Sequence, residues 1–331
     1  MSKKIKYIVF PLSVLLIAGV SFLLLMSSTS HQSGKENENQ TNTDLSSHYH
    51  LYSPSIPETL EFAGEKVPLD RYDVRESLDR ELLVNVYWQS NLLLYCKRSY
   101  RYFPLIESIL KKEGVPDDFK YLALIESGLT NAVSPAKATG FWQFMKETGI
   151  SYGLEINDEV DERYHVEKST YAACQYLKRS YKQHGTWSLA AAAYNMGDGG
   201  VKRQIERQKQ SSYWDLLLND ETARYMYRIL AAKILLSNPQ SYGIKLQLTD
   251  LYQPLTVRTI TVNTPIDNWV DFAAKHNMTY KEFKALNPWL RSDKLTNKSG
   301  KTYTITLIEQ KDTDFGNQIK SLDKNQMLEG F

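Results

Sequence analysis

One carboxylate in the stretch 116–145 (PDDFKYLALIESGLTNAVSPAKATGFWQFM) is placed to handle a proton, and it is Glu126. Leu122, Ile125 and Leu129 recur at helical spacing and give the segment an apolar side. Asp117 or Asp118, just after Pro116, supplies a helix cap, and Gly128 a stop. Glu126 lies one turn past Leu122, on the border of the apolar face. A carboxyl there is poorly hydrated, which disfavours its charged form, so its pKa is expected to rise. An acid that keeps its proton near neutral pH is what general acid catalysis at an ether oxygen requires. The competing reading is a solvated glutamate at a helix end, since one residue does not specify a chemistry.

Glu126 has company. ESGL at 126–129, AVSPAKATGFWQFM at 132–145 and AAAYNMGDGGV at 191–201 follow in this order. Together they resemble the catalytic domain of lytic murein transglycosylases of the soluble-transglycosylase type. The stretch 56–82 (IPETLEFAGEKVPLDRYDVRESLDREL) is similar to the lead-in of the D-type membrane-bound members. The resemblance implies a mainly α, goose-lysozyme-like domain that acts on peptidoglycan glycan strands without a cofactor or metal. Glycoside hydrolases usually carry two carboxylates; here one is expected to suffice. Glu126 protonates the bond between N-acetylmuramic acid and N-acetylglucosamine. The carboxylate then takes the proton of the sugar's own C6 hydroxyl, whose oxygen closes on C1 and leaves a 1,6-anhydro end. The 2-acetamido group assists at C1, and no water is consumed.

The same resemblance implies three substrate-binding residues. Gln143, in FWQF where the family has Leu-Met-Gln, holds the acetamido group or the nearby saccharide; Trp142 beside it packs inward. Ser134 hydrogen-bonds substrate or caps the next helix. Tyr194 sends its hydroxyl toward the catalytic carboxyl or makes a structural hydrogen bond. Asn195 orders the following loop, and Gly197, Gly199 and Gly200 allow a tight turn there. These glycines are not a phosphate loop, because no Gly-Lys-Ser/Thr follows. Two rivals remain. A muramidase would cut the same bond with water, activated by Asp158, Glu159, Asp161 or Glu162; otherwise that cluster is a solvated loop with helix-capping carboxylates. A non-catalytic wall-binding scaffold would use the cleft without cutting.

The elements that must position these groups are mostly helical. Leu78, Leu82, Asn85, Tyr87, Gln89, Leu92 and Leu93 suggest one long helix, and 103–112 another, closed by Gly114. Further helices are predicted at 167–184, 187–196 and 221–236. Four consecutive alanines make 187–196 the candidate for a central buried helix, and Asn238-Pro239 ends the last one. Beyond Tyr242 the pattern changes. Strands at 256–263 and 301–307 enclose helices at 267–276 and 279–286. This βααβ order, with Asn287-Pro288 after the second helix, resembles a LysM module. Its usual Pro-Gly-Asp-Thr opening is replaced here by 263–267, which bears on glycan binding more than on fold.

The chain has 331 residues, room for two domains, and a net charge of +2, which gives no argument for nucleic acid. Its 22 tyrosines and 6 tryptophans suit sugar stacking as well as core packing. Lys3, Lys4 and Lys6 precede an apolar run over 8–26, about the 20 residues that span a bilayer. Residues 1–30 therefore read as an uncleaved membrane anchor, with the remainder on the periplasmic side of the cell envelope, or as a cleaved signal of a secreted protein. Residues 31–53 form a polar tether, 54–250 the catalytic domain, 251–310 the LysM-like module, and 311–331 a loose polar tail. Cys96 and Cys174 read as buried thiols, with a disulfide the alternative after export. His48 and His50 lie in the tether and are solvated.

Overall fold

In a computed structural model, residues 51–309 and 312–331 are described. The anchor or signal at 1–30 and nearly all of the tether lie outside them. Among the described residues, no helix is long and apolar enough to cross a membrane. From Ser53 to Phe331 the chain forms one unit built on two apolar cores.

The larger core is helical. A short hairpin, β1 (Glu61–Phe62) and β2 (Glu65–Lys66), buries Phe62 against it. Then come α1 (Tyr72–Tyr87), α2 (Gln89–Glu113) and α3 (Phe119–Ser127). After a long loop follow α4 (Lys146–Ser151), α5 (Val166–His184), α6 (Trp187–Met196), α7 (Asp198–Gln208) and α8 (Asp220–Ser237). α3 is buried from Phe119 through Ile125, so it is a core helix on every side. α6 packs against α5, α7 and α8, and Ala190 to Ala193 are all buried; side chains this small let four helices approach closely.

The smaller core is a βααβ unit. β3 (Val257–Val262) pairs antiparallel with β4 (Tyr303–Ile308), and α9 (Trp269–Lys275) and α10 (Tyr280–Leu286) cover them. Trp269, Phe283, Ile305 and Leu307 are its buried centre. Asn287 explains the Asn-Pro: its amide donates to Thr306 O and accepts from Thr306 N, pairing with β4 as a strand backbone would.

Several expectations are corrected. The helix expected across 78–93 breaks at Trp88, whose ψ of 57° is not helical. The boundary expected near 103 is absent: α2 runs through Pro104, whose ring lies on the exposed face, where the Tyr100 carbonyl it leaves without an amide partner can bond water. Cys96, Phe103, Ile106 and Leu110 keep one buried face across that point. Asp118 sits at the start of α3 but does not cap it. Its Oδ2 accepts from Ala63 N at 2.6 Å and pairs with Lys233, pinning the hairpin to α8. Only Gly197 (φ 81°) makes the turn after α6. Gly199 and Gly200 open α7, and a Cβ at Gly200 would lie 3.1 Å from the end of the Met196 side chain, a tight contact. Cys96 and Cys174 are free and buried, and burial pushes both thiols up to about 12.

The tail is not loose. After α11 (Asp312–Ser321), Leu328 N bonds Leu246 O and Phe331 N bonds Leu236 O. Leu328 is buried in the larger core, and the Phe331 ring meets Phe103 edge-on. Leu328→Ala is therefore expected to destabilise the full chain by about 2–4 kcal/mol in denaturant unfolding. A loss under about 0.5 kcal/mol, the range of an ordinary surface substitution, would contradict a docked tail.

Candidate active site

The core burial of α3 ends in its last turn, and Glu126 stands there, partly buried. Gly128, in the left-handed region at φ 60°, stops the helix as its type suggested. α8 passes alongside and contributes Tyr225, a buried ring whose hydroxyl donates to Glu126 Oε1. Arg228, one turn further along α8, donates to Ile125 O at 3.2 Å and brings its charge near the carboxyl. Burial is the largest influence and raises the Glu126 pKa. The Tyr225 bond and the Arg228 charge lower it, Glu221 raises it again, and the balance is about 6 against an ordinary 4.5. Because Tyr225 engages Oε1, Oε2 is the oxygen left to carry the proton.

The loop between α3 and α4 is tied to the same place. Ser127 Oγ donates to Phe141 O at 2.9 Å, and Thr130 Oγ1 to Ser127 O at 2.7 Å. Trp142 packs inward, fully buried, with its indole N–H on Thr170 Oγ1. Gln143 follows with φ 48°, a left-handed backbone that costs a non-glycine residue energy. Its amide nitrogen donates to Gly140 O (2.8 Å) and Ala132 O (3.1 Å). Two carbonyl neighbours decide which end is nitrogen and leave Oε1 without a partner among the described residues. Ser134 does not cap α4. Its Oγ accepts from Ala138 N at 3.0 Å and closes a tight turn, leaving its own proton to donate.

Tyr194 donates to Trp142 O at 2.8 Å rather than to Glu126. The Glu126 charge nonetheless reaches it, adding to burial in raising the hydroxyl well above its ordinary value. Asn195 does not order the next loop; its Oδ1 accepts from Thr222 Oγ1 at 2.7 Å and joins α6 to the start of α8. Glu126, Tyr194 and Tyr225 thus form one cluster, with Gln143 attached through Trp142. Sequence reasoning missed Tyr225 and Ser127. Ser127 was legible as a hydroxyl beside the acid. Tyr225 shares α8 with Tyr227, and only the packing of α8 on α3 tells them apart.

The acidic cluster is solvated only in part: Asp158 is exposed and Glu159 half-buried, while Asp161 caps the short 3-10 turn at Glu162–Tyr164 by accepting from Arg163 N. Asp161 and Glu162 are buried, paired with Arg163 and Lys168, and Glu159 accepts from Thr296 in the smaller core's unit. A cavity of about 300 Å³ lined by Glu81, Trp214, Arg224 and Tyr227 does not include Glu126. Among the described residues, no group of His, Cys, Asp and Glu is arranged to hold a metal ion.

Comparison with known proteins finds matches to two domain families. Residues 104–217 match the transglycosylase SLT domain, and residues 258–311 match the soluble lytic transglycosylase C-terminal LysM-like domain. The chain is 34% identical over 176 residues to the membrane-bound lytic murein transglycosylase D of Escherichia coli, in each of two strains. That stretch is 51% of this chain and 38% of the relative, so the chain spans well under half the length of these two curated relatives.

The raised pKa has a consequence for stability. Glu126 titrates at about 6 when folded and near 4.5 when unfolded, so the folded state holds the proton more tightly. That contribution is fully present below about pH 4.5 and is lost as pH rises through about 6. Glu126→Gln, which never ionises, should match the parent's stability near pH 4 and exceed it by about 1–2 kcal/mol near pH 8. An equal difference at both pH values in urea unfolding would contradict the burial.

Proposed function

From a chain that carries a transglycosylase SLT domain ahead of a LysM-like module, we propose a peptidoglycan lytic transglycosylase. It cuts between N-acetylmuramic acid and N-acetylglucosamine without water. The observation that carries this reading is the single partly buried carboxyl of Glu126, held through one oxygen by Tyr225 and raised to about 6.

Glu126 Oε2 gives its proton to the bridging oxygen as the bond from C1 to that oxygen breaks. The new carboxylate is steadied by the Tyr225 hydroxyl and the nearby Arg228 charge. It takes the proton of the C6 hydroxyl while O6 bonds to C1. The acid is regenerated, so one carboxyl serves both halves of the reaction. Gln143 Oε1 accepts the acetamido N–H and turns the amide oxygen toward C1, and the Ser134 hydroxyl donates to a sugar oxygen. Tyr194 is a positioning residue: through Trp142 O it holds the backbone that carries Gln143. The muramidase reading needs a water-activating carboxylate. Exposed Glu221, 3.5 Å from Asn195 Nδ2, is the carboxylate whose charge reaches Glu126. In the envelope, the apolar run at 8–26 would tether the enzyme to the membrane with its catalytic domain on the periplasmic side.

Mass spectrometry of digested sacculi tests this. Anhydro ends, one water lighter than reducing ends, are expected, with turnover falling as pH rises above about 6 and at least a 100-fold loss in Glu126→Gln. Reducing ends alone would mean hydrolysis, and undiminished lysis by Glu126→Gln would mean another acid.

A further inference from the structure

Between α4 and α5 the chain runs through 152–165, and this segment is gripped from both sides. On one side is the LysM-like module. Asp161 N donates to Trp289 O, and Arg291 N to Glu159 O, both at 2.8 Å. Glu159 Oε2 accepts from Thr296 N, and Glu155 pairs with Lys301 at 3.0 Å and accepts from the Tyr303 hydroxyl. Val160, 1% exposed, is a member of the module's own core. The Arg291 guanidinium lies over the Tyr164 ring at 4.2 Å. A module on a free linker has no such shared core.

On the other side is the loop that carries Ser134 and Gln143. Arg163 forks onto the Asp161 carboxylate, Nε to Oδ1 at 2.9 Å and Nη2 to Oδ2 at 2.7 Å. That fork aims Nη1 at two carbonyls of the loop, Lys137 O and Phe144 O, each at 3.2 Å. The two carbonyls bracket Gly140, where a Cβ would lie 2.0 Å from Arg163 O. The loop is thus pressed onto the Arg163 backbone at its middle and held by the guanidinium near both ends. Only a planar, multiply donating group can hold a carboxylate and two carbonyls together.

We propose that the LysM-like module acts in cis as a buttress for the Ser134–Gln143 loop, with Asp161 and Arg163 as positioning residues between them. The module keeps Asp161 in place, Asp161 orients Arg163, and Arg163 holds the loop against its strained turns at Lys137 and Gln143. This rests on the reading of that loop as glycan-binding, but its first test does not.

Two variants of the full chain separate the links. Arg163→Lys keeps the charge and loses the fork. The double substitution Glu155→Gln with Glu159→Gln weakens the module's hold from the catalytic side. Hydrogen exchange is followed at the amides of Ala138, Thr139 and Gly140, which bond Ser134 Oγ, Phe144 O and Ala132 O. Exchange about tenfold faster in both variants, with α3 and α8 amides unchanged, is expected. An unchanged loop in either variant overturns the buttress, whatever the activity. In turnover of soluble glycan, Arg163→Lys should lower kcat/KM about tenfold while leaving the alkaline fall of the pH profile in place, because Glu126 is untouched. A loss that follows melting temperature alone, with parental kcat and KM in the folded fraction, also overturns it. If the parent makes no anhydro ends while the exchange effect holds, the proposed activity fails and the buttress stands.

Discussion

A carboxyl at the end of a helix that is buried on every side is the constraint around which this protein is built. Water must be kept from Glu126 closely enough to raise its pKa, yet one oxygen must remain open. A surface helix shelters only its inner face and leaves the other side of its last turn hydrated. α3 meets both demands, because α2 and α8 enclose it and its core burial ends only one residue before the acid. The Tyr225 hydroxyl then offsets part of the desolvation, so that the proton is held but can be released.

The rest of the larger core serves that enclosure. The alanine run of α6 lets α5, α7 and α8 close in, which carries Tyr225 to Glu126 and Tyr194 to Trp142. The loop after α3 bears left-handed backbone at Leu129, Lys137 and Gln143, three of the seven non-glycine cases among the described residues. Each costs energy, and hydrogen bonds from Ser127, Trp142, Tyr194 and Arg163 hold the segment there. Strain concentrated beside the acid accords with a loop shaped to fit a ligand.

What the sequence disclosed follows the range of the forces involved. The helix 187–196 and the βααβ order were legible because period, glycine stops and Asn-Pro act locally. The poorly hydrated Glu126 was legible because apolar residues crowd it in sequence, but not for the reason expected: α3 has no polar face, and the acid is sheltered at the end of a helix buried on every side. Misread were the features that need a partner distant in the chain. Asp118 looks like a cap until Ala63 and Lys233 claim it. Asp161 and Glu162 look solvated until the LysM-like module covers their loop. The tail looks loose until Leu328 meets Leu246. Tyr225 is one of several helical tyrosines until α8 is laid beside α3.

The direct test is a carboxyl-carbon NMR titration of Glu126 in the folded protein. A midpoint of about 6 is predicted, above the ordinary 4.5, because burial outweighs Tyr225 and Arg228. A midpoint at or below 4.5 would mean that the side chain is solvated or dominated by its cationic neighbour, and the single-acid account would fail.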